Sequence, residues 1–370
     1  MIELKKAAFI IGIAGQDGLY LSELLLDKGY AVHGMIRRDS GLTIESVEHL
    51  YKSVDGGERN LTIHYGDLCE SSSIRRILEL VQPVEIYHLA ANSDGLDAFV
   101  QPEYTVDEVV LGTMKLLEEV NDYQNRTERY VRYYQAGSYE MSGLAKDAVQ
   151  DVSPSIPPRS PYAVVNAYTH RQAVDAREYS GLFVATGILF DHVSPRSGDL
   201  CVARKITRAA ARIKRGLQTE LVLGNLDARR EWGFTRDYVE GMWLMLQQDQ
   251  PDDYVIAAGV AHTVREFVEA AFERVELDWE KYVRVDSRFL LPSEVDLPVG
   301  DPTKAMNVLG WSARTSLAEV VDMMVASDLE RARGEEALRS DNRLGHYICD
   351  FRPTPPDLSR IWGSKSLIIR

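Results

Sequence analysis

The tightest constraint in this sequence lies close to its amino end. The short apolar run Ala7–Ile13 passes through Gly12-Ile13-Ala14-Gly15-Gln16-Asp17-Gly18, a G-x-x-G-x-x-G spacing, directly into an amphipathic stretch, Asp17–Lys28. A strand handed to a helix through three glycines requires a tight turn and close backbone approach. It also presents the amides and dipole of a helix amino end to whatever lies in front of them. A glycine triplet alone also fits a plain β–α turn. Its place after a strand and before a helix is the context that a dinucleotide-binding turn requires.

The alternation continues down the chain. Ala31–Ile36, Leu61–Tyr65, Glu85–Ala90, Arg129–Ala136 and Leu182–Phe190 are further short apolar runs, separated by helical patterns over Ser71–Val81, Pro102–Tyr123 and Tyr162–Tyr179. Near-continuous apolar strands between amphipathic helices predict an α/β fold, a parallel sheet covered on both faces. Right-handed crossovers make it doubly wound and Rossmann-type. After residue 190 the rhythm changes to a polar loop with Pro195 and a basic helix over Val202–Arg215. A strand at Glu220–Leu223, a helix at Arg236–Gln248, a strand at Tyr254–Ala257, a helix at Val264–Glu276 and a last helix over Ser316–Arg333 follow. The expected division is a dinucleotide-binding domain over 1–190, a smaller α/β substrate lobe over 191–340 from which the chain can cross back, and an extension over 341–370.

Composition sets limits on partners. The 370 residues, 45% hydrophobic, suffice for a sizeable core. With 42 basic against 56 acidic side chains the net charge is −14, which excludes a general nucleic-acid binder but leaves local phosphate sites open. No run approaches ~18 uninterrupted apolar residues, so no membrane span is expected. Met1–Lys6 does not have the order of a secretory signal. Cys69, Cys201 and Cys349 are odd in number, far apart and without metal-ligand spacing, so neither a disulfide framework nor a metal site is expected, and a cytoplasmic setting fits.

Three more strand ends extend the dinucleotide reading beyond Gly12, Gly15, Gln16, Asp17 and Gly18. Ile36-Arg37-Arg38 offers arginines where an acidic residue would bind a free ribose hydroxyl, which favours a 2′-phosphate and hence NADP over NAD; a solvated arginine pair is the alternative. In Gly66-Asp67-Leu68, Asp67 is placed for an adenine amino group. In Leu89-Ala90-Ala91-Asn92-Ser93, small residues let the backbone approach a cofactor. All lie at carboxyl ends of successive strands, where doubly wound sheets bind ligands.

The next strand ends in Tyr134-Gln135-Ala136-Gly137-Ser138-Tyr139-Glu140, and Ser160-Pro161-Tyr162-Ala163-Val164-Val165-Asn166 opens a helix. With these segments the chain resembles the extended short-chain dehydrogenase/reductase superfamily of nucleotide-sugar enzymes, and within it the GDP-mannose 4,6-dehydratase family. The resemblance is carried by Gly15-Gln16-Asp17-Gly18, Gly29-Tyr30-Ala31-Val32-His33-Gly34 followed by Arg37-Arg38, His64-Tyr65-Gly66-Asp67-Leu68 and Arg159-Ser160-Pro161-Tyr162-Ala163. It extends through Arg204-Lys205-Ile206-Thr207-Arg208-Ala209, Leu223-Gly224-Asn225-Leu226-Asp227, Asp237-Tyr238-Val239 and Gly300-Asp301-Pro302-Thr303-Lys304-Ala305. The similarity spans roughly residues 7–330.

The resemblance implies a mechanism. A tyrosine phenolate takes the proton of the sugar 4-hydroxyl while the C4 hydride moves to NADP⁺. A glutamate then removes the acidified C5 proton, water leaves from C6, and the hydride returns there. By position Tyr162 would be the oxidation base, Ser138 the hydroxyl partner of O4, and Glu140 the C5 base and C6 acid. Homodimers or homotetramers are also implied, with the 37–40 loop as a contact. Three departures alter this picture. The superfamily's Tyr-x-x-x-Lys has Asn166 in place of lysine, which can bond the nicotinamide ribose but brings no charge to lower the phenol pKa from ~10. The family's Thr-Ser-Glu is Ser138-Tyr139-Glu140, placing a second phenol by the site. The family's Asn-His after strand six is Asp191-His192, an added carboxylate able to act as a base or to repel a phosphate.

Positive charge gathers at Arg204, Lys205, Arg208, Arg212, Lys214 and Arg215. Arg204 or Lys205, at the helix amino end, is placed to meet a diphosphate. The later ones read as a solvated or subunit-facing stripe. The resemblance assigns Gly224, Asn225, Arg230, Arg288 and Glu294, with Ser93, to a GDP-linked sugar nucleotide, although the arginine expected near Glu294 is Leu291 here. His33, His49, His64 and His88 read as ordinary, and Met242–Met245 as core. Two rival readings stay open: an epimerase or 4-dehydrogenase on the same scaffold, and a sugar-nucleotide-binding homologue that turns over poorly or not at all.

Overall fold

The computed structural model describes residues 5–37, 44–51, 60–90, 102–142, 160–286 and 299–340. Its centre is a seven-stranded parallel sheet. In chain order the strands are β1 (Ala7–Ile11), β2 (Ala31–Ile36), β3 (Leu61–Tyr65), β4 (Glu85–His88), β5 (Arg132–Ser138), β6 (Phe183–Leu189) and, after four short strands of the outer lobe, Asp253–Ile256. In space the order is that last strand, then β6-β5-β4-β1-β2-β3. The reversal beside β1 is the switch point at which doubly wound sheets open a ligand crevice. The strand Asp253–Ile256 pairs with β6 from Asp253↔Thr186 to Ile256↔Leu189, so the chain does re-enter the sheet after residue 190.

Both faces are covered, which explains the near-continuous apolar strands. Alternate side chains such as Ala8, Ile10, Val32 and Tyr134 point to α1 (Gln16–Asp27) and to the helix Thr235–Met245, whose Met242 and Met245 are core, as expected. Their neighbours, among them Phe9, Ile11, Ile86 and Tyr133, meet α2 (Ser71–Val81), α3 (Gly112–Thr127) and α4 (Pro161–Tyr179). The helix α2 shows why pattern reading worked: Ile74, Ile77, Leu78 and Val81 form one stripe and all are buried. The pattern over Pro102–Tyr123 is less regular, because Val106–Leu111 is a π turn between a short helical turn and α3.

The second lobe has its own core, built by α5 (Val202–Lys214), the helix Val264–Arg274 and the last helix, Leu317–Ser340, around Phe267, Phe272 and Met324. The last helix runs past Arg333, where the sequence suggested an end. Its final turns are held by charge: Glu335 pairs with Arg208 and Arg212, and Glu336 with Arg215. Arg208, Arg212 and Arg215 of the basic stripe therefore pair with an acidic helix of the same chain, while Arg208 and Arg215 stay partly exposed. Among the described residues no helix is long and apolar enough to cross a membrane, and no group of three or more side chains is arranged to hold a metal.

The helix α4, which carries Tyr162 and Asn166, is anchored at its far end. Asp253 accepts from His170 at 2.9 Å and from Arg177 at 2.7 and 3.2 Å. Burial alone would raise the Asp253 carboxyl, but these two partners outweigh it and hold it well below the ordinary range. A depressed carboxyl contributes stability above the unfolded-state value near pH 4 and loses it as the pH falls further. Asp253→Asn is expected to lower stability at pH 7 by about 2–3 kcal/mol, since it leaves Arg177 under-paired. In urea melts the gap from the parent protein should narrow below about pH 4.

Candidate active site

The glycine turn is set by sterics. Gly12 has φ +89° and a Cβ there would lie 2.9 Å from the Ala90 nitrogen; a Cβ on Gly18 would fall 2.3 Å from the Gly12 carbonyl oxygen. The β1–α1 turn thus rests directly on the backbone at Leu89 and Ala90, and Gly15 caps α1 with no side chain over its first amides. Such a turn fits a pyrophosphate. Gln16 and Asp17 reach across the crevice to the segment after β6. The hydroxyls of Ser194 and Ser197 donate to the Gln16 side-chain Oε1 at 2.7 and 2.6 Å, and Gln16 Nε2 donates to the His192 backbone carbonyl at 3.2 Å.

Both ring nitrogens of His192 face acceptors, Asp17 Oδ1 at 2.9 Å and the Phe190 carbonyl at 2.8 Å, so the imidazolium satisfies both. Burial works against that charge, but Asp17 more than compensates and raises the His192 pKa. The reciprocal effect holds the Asp17 carboxyl below its usual value against its own burial. Sequence reasoning singled out Gln16 and Asp17 only for their loop; Ser194 and Ser197, nearly 180 positions away, carried no local signal.

Along the other strand ends, Asp67 accepts from the Cys69 amide at 2.8 Å and shapes the turn in which Leu68 is buried. Arg37 follows β2 and pairs with Glu108 of the π turn at 3.3 Å. Arg38, Ala91, Ser93, Arg288, Leu291 and Glu294, and the 341–370 extension, lie outside the described residues.

The chemical groups converge where β5, β6 and α4 end. Ser160 caps α4, accepting from the Ala163 amide at 3.0 Å, with Pro161 in the first turn. The Ser160 hydroxyl also donates to Glu140 Oε2 at 3.4 Å, so the cap that starts the helix steadies the carboxylate facing it. Ser138, the last residue of β5, accepts from the Glu140 amide at 3.3 Å and lies near enough to the Tyr162 phenol to lower its pKa. Asn166, 2% exposed, donates to the Tyr162 carbonyl at 2.9 Å, and its neutral amide lowers the phenol pKa only in part. Tyr139 stacks on Phe190 at 4.7 Å within a small core and sits beside the site as a buried wall. Asp191 accepts from Arg230 at 3.3 Å.

The field in this cluster is negative. Tyr162 is pushed up to about 12 by burial and then by Glu140 and Asp191, while Ser138 and Asn166 pull the other way. Burial, then Asp191, raises Glu140, against Ser160 and Arg230. Burial also puts the Tyr139 phenol well above its usual value, which suits packing and not base catalysis. Next to it Glu231, 3% exposed, gathers the amides of Ala258, Gly259 and Gly300, and burial pushes it up to about 7. Neither its neighbours nor its spacing marked Glu231 in the sequence.

Arg204 departs from expectation. It is 1% exposed and paired at 2.8 Å with Asp328 of the last helix, which also accepts from Thr207. It stands at the inner side of α5 and ties two helices together, so it does not meet a diphosphate. Lys205 is exposed. Gly224 and Asn225 form the turn after Leu221–Leu223, where Asn225 accepts from the Asp227 amide at 3.0 Å.

A doubly wound sheet with this glycine turn, and a serine, a capped-helix tyrosine and a glutamate at its carboxyl edge, define an extended short-chain dehydrogenase/reductase. The family model for GDP-mannose 4,6 dehydratase matches residues 9–324. GDP-mannose 4,6 dehydratase 2 of Arabidopsis thaliana is 48% identical over 339 residues, covering 91% of each chain. The chain belongs to the GDP-mannose 4,6-dehydratase family. Solved structures share the fold at low identity. RMD from Pseudomonas aeruginosa, complexed with NADPH, has TM-score 0.70 and 20% identity and covers 88% of this chain and 100% of its own. dTDP-glucose 4,6-dehydratase from Bacillus anthracis, in complex with NAD, has TM-score 0.74 and 16% identity, covering 89% and 98%.

Replacing Tyr162 with Phe should lower turnover by about 10²–10⁴-fold, as loss of a general base does. Asn166→Lys should move the rising limb of the kcat–pH profile to lower pH by about one to three units, the effect of a cation a few ångströms from a phenol. Both are read from kcat across pH 6–10.

Proposed function

We propose that the chain is a nicotinamide-dependent GDP-mannose 4,6-dehydratase, with NADP preferred over NAD. The observation that carries the reading is the convergence of Ser138, Glu140 and Tyr162 at the crevice edge, in a chain of this family. The glycine cradle that a Cβ on Gly12 or Gly18 would fill suits a dinucleotide. Arg37 at the end of β2 suits a 2′-phosphate. When bound, the nicotinamide supplies a reversible store for a hydride.

The chain's own residues move the protons. The Tyr162 phenolate accepts the proton of the sugar 4-hydroxyl, whose oxygen the Ser138 hydroxyl holds. The resulting C4 ketone acidifies C5–H, and Glu140 takes that proton. The same carboxyl then gives it to the C6 hydroxyl, which leaves as water; C6 would take back the stored hydride, and C5 a solvent-exchangeable proton that balances the one held by the Tyr162 phenol. A raised pKa fits a group that must both accept and donate near neutral pH. Arg230 is the cation placed for the substrate's diphosphate. One observation favours slow turnover: two carboxylates raise Tyr162 and Asn166 brings no charge to lower it.

Incubation with GDP-mannose and NADP⁺, followed by mass spectrometry, tests the reading. A product lighter by one water is expected, with one deuterium at C5 when the reaction runs in D₂O, and Glu140→Gln should suppress it by about 10²–10⁴-fold. An unchanged mass at a new retention time would assign an epimerase, and binding without product a non-catalytic homologue.

A further inference from the structure

Arg230 is not presented to the crevice alone. It lies on the short strand Arg229–Glu231, whose register with Ala261–Thr263 fixes its backbone. Its guanidinium donates to Asp191 at 3.3 Å, with both side chains partly exposed. Asp191 is itself fixed, because its carbonyl accepts from the Gly233 amide at 3.0 Å. The amino end of α5 faces the same pair. Cys201, the residue before α5, makes no side-chain cap bond and lies close enough to feel the charges of both Asp191 and Arg230. An anion entering here meets the Arg230 guanidinium, with Asp191 and Glu140 among the described carboxylates near it.

We propose that Asp191 is an internal competitor for the substrate's diphosphate: its carboxylate holds the Arg230 guanidinium that a nucleoside diphosphate would take, so nucleotide affinity is set by displacing one anion with another. This rests on the reading of Arg230 as a diphosphate ligand. A diphosphate that takes the guanidinium must overcome the existing pair and then lie beside a carboxylate stripped of its counter-ion. Both costs disappear when Asp191 is replaced by the isosteric amide. Asp191 thus tunes specificity without touching the reacting carbons.

The test measures binding of GDP, and of uncharged guanosine, to the full chain with NADP⁺ present, by calorimetry. Asp191→Asn is expected to tighten GDP roughly three- to tenfold, the scale of a partly exposed ion pair, and to leave guanosine within twofold. Asp191→Ser serves if the amide variant melts early, since the backbone bond to Gly233 survives in either. Arg230→Met should weaken GDP at least tenfold. If it does not, Arg230 is not the diphosphate ligand and the underlying reading falls with the proposal. If Arg230→Met weakens GDP while Asp191→Asn leaves it unchanged or weaker, the competition alone is overturned. Equal tightening of guanosine and GDP would also overturn it, because the change would then be one of pocket shape.

Discussion

The structure depends on the polar clamp between the first turn of α1 and the segment that follows β6. The glycine turn is attached to the sheet through β1, through Ile13 and the apolar face of α1, and through its contact with Leu89 and Ala90. In the clamp, Gln16 and Asp17 are bonded to His192, Ser194 and Ser197, and Arg196 reaches Glu23 at 2.6 Å and covers the Tyr20 ring. The segment so held also carries Asp191. The position of the glycine turn and that of the charged cluster are therefore coupled by hydrogen bonds about 175 residues apart in sequence. Buried bonds to charged groups are worth about 1.5–3 kcal/mol each, so the clamp is stiff on the scale of domain stability.

A second set of ties holds the other wall. The helix α4 is capped at one end by Ser160 and moored at the other by His170 and Arg177 to Asp253. Tyr162 and Asn166 occupy its first turns and are thus fixed against the end of β5. The outer lobe is fastened differently, by the pairing of α5 with the last helix through Arg204–Asp328 and the exposed pairs around Glu335. The buried pair fixes register more than it adds stability, because desolvation offsets most of its attraction.

Much of this was legible from local pattern. The sheet strands, α2 and α4 follow from apolar runs and stripes, and the serine cap, proline and tyrosine of α4 from their order in the chain. Ser138, Glu140 and Tyr162 were found by motif and do converge. What pattern could not show were partners far apart in sequence. Asp17 and His192, Arg204 and Asp328, and Glu231 with its three amides are set by packing of separate elements, and no spacing encodes them. Arg204 is instructive: its charge suggested a phosphate, yet an arginine on the inner face of an amphipathic helix finds a carboxylate instead. The long last helix shows the same limit, since Gly334 would end it on propensity while cross-helix charge carries it on.

The negative field at the site serves two needs that oppose each other. On the proposed mechanism Tyr162 must ionise before it can accept the sugar proton, and a phenol raised by neighbouring carboxylates does so at a cost of about 1.4 kcal/mol per unit. In the same mechanism Glu140 must hold its proton until it passes to the leaving hydroxyl, and Asp191 helps it do so. A lysine one turn along α4 would relieve the first need; Asn166 relieves it only through a neutral amide. The charge that acts on both groups is Asp191, and the charge that offsets it is Arg230. An anion drawn to Arg230 therefore changes the proton affinity of Glu140 without touching it. On the proposed reading, nucleotide binding and proton transfer share one pair of side chains at this edge of the sheet.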